Sequence, residues 1–163
     1  MKGSRPFSCF LVLVLATATQ FTLTPLLGGG VDTVDVPLLL LLWFALIDRT
    51  GRVLLLTAAV GASRLIGGVS SPLEVYLPLL AAIAWTRFAR GGIDPRDNVR
   101  RIAIVAGALA FAHWTHRALW DVSFTGSVAP AATGLLLGTF CAIVFFPILD
   151  RLVPLLRSAT HPM

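Results

Sequence analysis

Six mainly apolar stretches, separated by short polar segments, occupy most of this 163-residue chain. A hydrocarbon core about 30 Å thick is crossed by about 20 helical residues. The stretches therefore predict membrane-spanning helices, and the glycines, prolines and charges between them predict turns. We predict a single integral-membrane helical domain over residues 1–163. Its fold class is all-α, a polytopic bundle of about six helices near residues 7–27, 33–47, 53–69, 73–88, 102–120 and 130–149.

The first stretch, Phe7–Leu27, carries no charge and follows two basic residues, Lys2 and Arg5. A signal peptide also begins with a basic segment before an apolar one, but its apolar core is only about 7–15 residues long. We therefore interpret this stretch as a membrane helix.

Two later parts of the pattern are less regular. Val36–Ile47 is continuously apolar but spans only about 18 Å as a helix, so it crosses a membrane only if the flanking charges lie at the two interfaces. The third stretch contains Arg64 and ends in a Gly-, Ser- and Pro-rich segment, 67–72, and the fourth contains Pro78. Short, kinked or partly re-entrant helices are expected here, provided that protein covers the freed backbone groups.

Composition supports a membrane protein and excludes most other classes. Hydrophobic residues make up 56% of the chain and charged residues 13%, too little charge to coat a soluble domain. Cys9 and Cys141 both lie in apolar stretches and offer no disulfide or metal spacing. No phosphate-binding glycine loop, nucleophile elbow, paired catalytic carboxylates or HExxH motif occurs. We expect no enzymatic activity, no cofactor and no metal.

The distribution of charge predicts the orientation. Thirteen Lys and Arg against eight Asp and Glu give a net charge of +5, which in a membrane protein indicates cytoplasmic loops and contact with lipid head groups and not nucleic-acid binding. Six crossings with both termini in the cytoplasm leave nearly all basic residues inside. The most basic segment is predicted to be a cytoplasmic loop that holds Arg87, Arg90, Arg96, Arg100 and Arg101.

A few ionisable residues fall in the bilayer or its outer half, where such side chains are candidates for function. They are Arg64, Glu74, His113, His116, Arg117 and Asp121. A lone arginine at a helix centre costs about 2.5–3.5 kcal/mol on insertion scales, so it needs an anion or the interface. Glu74 is the predicted partner of Arg64. The pair is either a polar binding site or a structural ion pair, and snorkelling of the arginine towards the surface is a further alternative.

The two histidines and Arg117 share one helix face, because residues three and four apart are neighbours. A His-x-x-His pair can bind a metal or relay protons, but no further ligands accompany it. The pair lies near a helix end that also contains Trp114 and Trp120, and tryptophans are typical of the membrane interface. The favoured interpretation is an interface cap or a partner contact.

Small residues predict close helix packing. Gly134 and Gly138 are four residues apart in the last stretch, the spacing that lets helix backbones approach each other. Gly61 and Gly67 give the third stretch a similar character. The pattern is consistent with packing inside the bundle or against a partner.

Several local motifs together resemble the MreD family of rod shape-determining membrane proteins. They are Gln20 followed by Pro25, the segment Asp35-Val36-Pro37-Leu38-Leu39-Leu40, the pair Ala45-Leu46, and the glycine-rich segment from Gly61 to Pro72 followed by Leu73. The chain departs from the family at Arg64, where an acidic residue is usual, and at Glu74, where a glycine is expected.

This resemblance implies a fold similar to the substrate-binding subunits of energy-coupling-factor vitamin transporters. It also implies a function in cell shape: a non-catalytic scaffold of the peptidoglycan-synthesis machinery in the bacterial inner membrane. The implied partners are an MreC-like bitopic protein and cell-wall synthesis enzymes. Two alternatives stay open. One is a substrate-binding subunit of such a transporter, with a pocket near Arg64 and Glu74, and the other is an unassigned membrane enzyme or assembly factor.

Overall fold

A computed structural model describes residues 34–66, 71–91, 97–120 and 129–158, together with Val14 and Ala18. Over these residues the protein is all-helical, with no strand. The five helices are α1 (Val36–Ile47), α2 (Thr50–Ile66), α3 (Pro72–Arg90), α4 (Asn98–Trp120) and α5 (Ala129–Ser158). Most of the first predicted helix, 7–27, lies outside the described residues, although Val14 and Ala18 within it are helical.

Local signals in the sequence set the starts of α1 and α3. The Asp35 carboxylate accepts a hydrogen bond from the Leu38 N–H at 3.0 Å and caps α1. Ser71 and Glu74 form a reciprocal capping box at the start of α3, with N···O distances of 3.3 and 3.1 Å. These bonds satisfy N–H groups that the first helical turn leaves unpaired. Pro78 lies inside α3, buried, and the helix continues through it to Arg90.

The short helix α1 forms the centre of the described core. From Pro37 to Leu46 every residue except the half-buried Leu40 is buried, and the helix contacts each of the other four described helices. A helix that is apolar on all sides is stable only when it is covered on all sides. The remaining helices pack in chain order, α2 on α3, α3 on α4 and α4 on α5.

The last helix, α5, is attached to the bundle by a narrow strip that repeats every four residues. Between residues 132 and 151, where the burial of α5 is described, the buried positions are Gly134, Gly138, Ala142 and Phe146. A Cβ atom built on Gly138 would lie 2.9 Å from the Leu109 side chain, so α4 approaches α5 closely because that Cβ is missing. The glycine pair of the last stretch thus faces α4. The third stretch has two predicted packing glycines. Gly61 is described, and Gly67 lies outside the described residues.

Within the described residues, one helix has the length and apolar composition needed to cross a membrane. Its qualifying stretch is Ala132–Arg151, 20 residues within α5. The α1 helix is as apolar but has only 12 residues.

The structure places four arginines of the predicted basic loop on helices. Arg87 and Arg90 belong to the last turn of α3, where positive charge complements the helix dipole. Arg100 and Arg101 lie in the first turn of α4, next to Asp97, whose carboxylate accepts the Arg100 N–H at 3.2 Å. The connection between α3 and α4 is therefore shorter than expected, and Arg96 within it is outside the described residues.

Candidate functional site

Charged side chains gather at the two ends of the bundle, with apolar residues between them. The ends can be assigned from contacts that join successive helices. We call the end formed by the carboxyl termini of α1 and α3 the basic end. The opposite end, where α1 and α3 begin, is called the histidine end.

At the basic end, arginines from α3 cap the last turn of α1. The Arg87 guanidinium donates to the Asp48 carbonyl at 2.8 Å. That of Arg90 donates to the carbonyls of Asp48 at 3.2 Å and Ala45 at 3.3 Å. The last carbonyls of a helix have no partner within it, so these bonds satisfy them. The Asp48 carboxylate also lies 3.5 Å from the Arg52 guanidinium on α2.

A second group at this end joins α1, α4 and α5. Arg101 is only 6% exposed and makes two bonds to the Asp150 carboxylate, at 2.6 and 3.2 Å. The Trp43 indole N–H donates to the same carboxylate at 3.0 Å. The Arg101 guanidinium also lies 5.6 Å from the centre of the Phe146 ring, within cation–π range. Trp43 and Asp150 were not among the residues that the sequence singled out.

At the histidine end, Arg64 near the end of α2 forms an ion pair with Asp35. Both side chains are about one quarter exposed, at 24% and 28%. Asp35 thus has two roles, since it also caps α1. Glu74, the partner that the sequence predicted for Arg64, closes the capping box of α3.

The histidines of α4 lie at the same end. The His116 imidazole is within electrostatic range of Arg64, Glu74 and His113. The His113 ring packs against α5, where a Cβ on Gly134 would lie 3.3 Å from its Nε2 atom. The candidate residues Arg64, Glu74, His113 and His116 therefore lie at the same end of the bundle, on three helices.

Two other candidates have different positions. Arg117 follows in the last turn of α4 and is partly buried, and Asp121 is outside the described residues. Trp114 is 58% exposed on α4, and it belongs to an aromatic row with Phe111 and Trp85, whose neighbouring ring centres are 6.4 and 5.9 Å apart.

The histidine end combines both signs of charge with imidazoles in a partly exposed setting. Such a group can hold the helix ends together or bind a small charged molecule. Within the described part of the chain, no set of three or more His, Cys, Asp and Glu side chains is placed to hold a metal ion. The basic end is instead dominated by guanidinium groups, which favour anions.

Comparison with known proteins gave no match among the family models, the curated proteins or the solved structures.

Proposed function

We propose that this protein is a non-catalytic, multi-pass membrane scaffold of the bacterial cell-wall elongation machinery, acting in the manner of MreD. The observation that supports it best is the exposed apolar surface of α5. Leu136 is 71% exposed and Phe140 64%, and Ile143 and Ile148 are each about half exposed. Contiguous apolar surfaces of this kind mark membrane or protein contacts.

The charge distribution supports an orientation for this scaffold. The described residues at the basic end include seven arginines and three aspartates. They are Arg49, Arg52, Arg87, Arg90, Arg100, Arg101, Arg151, Asp48, Asp97 and Asp150. Because short basic segments stay in the cytoplasm, we place the basic end on the cytoplasmic side of the inner membrane and the histidine end on the opposite side. Both termini are then cytoplasmic if the chain crosses six times.

The partners follow from the family resemblance and from the form of the surface. An MreC-like bitopic protein has a single membrane helix, and α5 offers such a helix an apolar face with protruding Phe and Leu side chains. Association of helices in lipid depends on close packing and not on release of water. Peptidoglycan-synthesis enzymes are proposed to join through the same membrane-embedded surface or through the basic end.

Co-purification of the full chain with a bitopic MreC-like partner tests this proposal. The double variant Leu136→Ala/Phe140→Ala shortens two exposed side chains of α5 and should weaken co-purification. Leu54→Ala/Leu55→Ala, which shortens two exposed leucines of α2, is the matched control and should retain the partner. Depletion in a rod-shaped bacterium should produce round cells, and normal shape after complete depletion would contradict the scaffold role.

The cluster at the histidine end favours a second candidate, a substrate-binding subunit of an energy-coupling-factor transporter. Arg64 pairs with Asp35 at this end, and His116 is within electrostatic range of Arg64 and Glu74. Such a group of charges is suited to a charged small molecule. A ligand that binds the folded protein raises its unfolding temperature. A vitamin that stabilises wild-type protein but not the Arg64→Gln variant would support this candidate, and failure of a broad vitamin set would count against it.

A further inference from the structure

Four arginines surround the carboxyl end of α1. We call Arg49, Arg52, Arg87 and Arg90 the arginine cluster, and we propose that it binds the phosphate group of an anionic phospholipid. The proposal rests on the membrane location given above and does not depend on any protein partner.

The positive charge of the cluster exceeds the negative charge within it. Arg87 and Arg90 donate to the carbonyl oxygens of Asp48 and Ala45, which are dipoles and carry no net negative charge. The carboxylate at this position is that of Asp48, which lies 3.5 Å from the Arg52 guanidinium, so four positive charges meet one negative charge. A further anion is therefore attracted to this position.

Two members of the cluster are accessible to a ligand. Arg49 is exposed in the turn between α1 and α2, and the side chain of Arg52 is 36% exposed. A guanidinium forms two parallel hydrogen bonds to phosphate oxygens. Arg49 and Arg52 can supply such bonds, while Arg87 and Arg90 hold α1 and add to the local potential.

Apolar side chains next to the cluster indicate a lipid in preference to a free phosphate. Leu55, one helical turn beyond Arg52, is 73% exposed, and Phe88, beside Arg87, is 85% exposed. A ligand with a phosphate and hydrocarbon chains contacts both kinds of group at once. Basic positions between helices on the cytoplasmic side are well suited to such head groups.

The experiment uses the full chain purified in a neutral detergent. Its unfolding temperature is measured with added phosphatidylglycerol, with phosphatidylcholine of the same chain length, and with inorganic phosphate. We expect stabilisation by phosphatidylglycerol that exceeds the effect of either control. An equal effect of phosphatidylcholine would overturn the proposal, and so would an equal effect of inorganic phosphate.

Variants then locate the site. In Arg49→Gln/Arg52→Gln the apparent affinity for phosphatidylglycerol should fall about 30-fold, since each arginine near a lipid surface contributes about fivefold. Arg100→Gln/Arg151→Gln removes the same charge from exposed positions elsewhere at the basic end and is the matched control. An equal loss of affinity in the control would show attraction to the whole basic end and refute a site. Because no partner is present, the result is independent of the co-purification test.

Discussion

Replacing Asp150 with alanine leaves the Arg101 guanidinium without its anion. The Arg101 side chain is 7% exposed, so water cannot easily take the place of the carboxylate. The change removes two bonds from Arg101 and one from the Trp43 indole. Because these residues lie on three different helices, the loss should destabilise the packing of α1 against both α4 and α5.

The size of the effect follows from the burial of the pair. Breaking a fully buried ion pair on one side costs about 3–5 kcal/mol. The Asp150 side chain is 36% exposed, so part of the attraction is already screened, and we expect a loss of about 2–3 kcal/mol in the free energy of unfolding. For a chain of this length the unfolding temperature should fall by roughly 5–10 °C.

Thermal unfolding of the detergent-solubilised protein, followed by far-UV circular dichroism, measures this loss. Asp150→Asn keeps an acceptor for Trp43 and should cost less than alanine. The double variant Arg101→Met/Asp150→Leu removes both charges, and apolar residues replace such pairs at little cost. It should therefore lose less stability than Asp150→Ala, although the Trp43 N–H still loses its acceptor. The reasoning would be refuted if Asp150→Ala were as stable as wild type, or if the double variant were as unstable as Asp150→Ala.

Three further predictions concern the helices and their orientation. Gly61→Ala should lower the unfolding temperature, because the new Cβ would lie 2.1 Å from the Tyr76 ring. Gly51→Ala is the control: a Cβ on Gly51 has no neighbouring atom within 4 Å, so this variant should not lower the unfolding temperature. Ser71→Ala removes the cap of α3 and should cost about 1 kcal/mol by the same measurement. A reporter fused after residue 95 should be active only in the cytoplasm, and activity only outside would contradict the proposed orientation.

The helices themselves were largely predictable from the sequence. The stretches near residues 33–47, 73–88 and 102–120 correspond closely to α1, α3 and α4. Helix boundaries depend on residues only a few positions apart, such as the Ser71–Glu74 capping box, and local signals of this kind can be read directly. The basic segment is an exception, because four of its arginines extend two helices where the sequence predicts a loop.

The spacing of Gly134 and Gly138 likewise indicated that some helix must come close to α5. The sequence did not determine which one. In the structure it is α4, whose His113 and Leu109 side chains occupy the space that the two glycines leave. The choice depends on how α1 and the helices around it pack, and not on the last stretch alone.

An apolar helical chain with its charges collected between the helices could be predicted from composition and short-range order. The partners of its polar and charged side chains depend instead on how the helices pack. Arg64 meets Asp35, 29 residues away, and Trp43 meets Asp150, 107 residues away. Such pairs form where helix ends are brought together around the buried α1 helix, and no local pattern encodes that meeting.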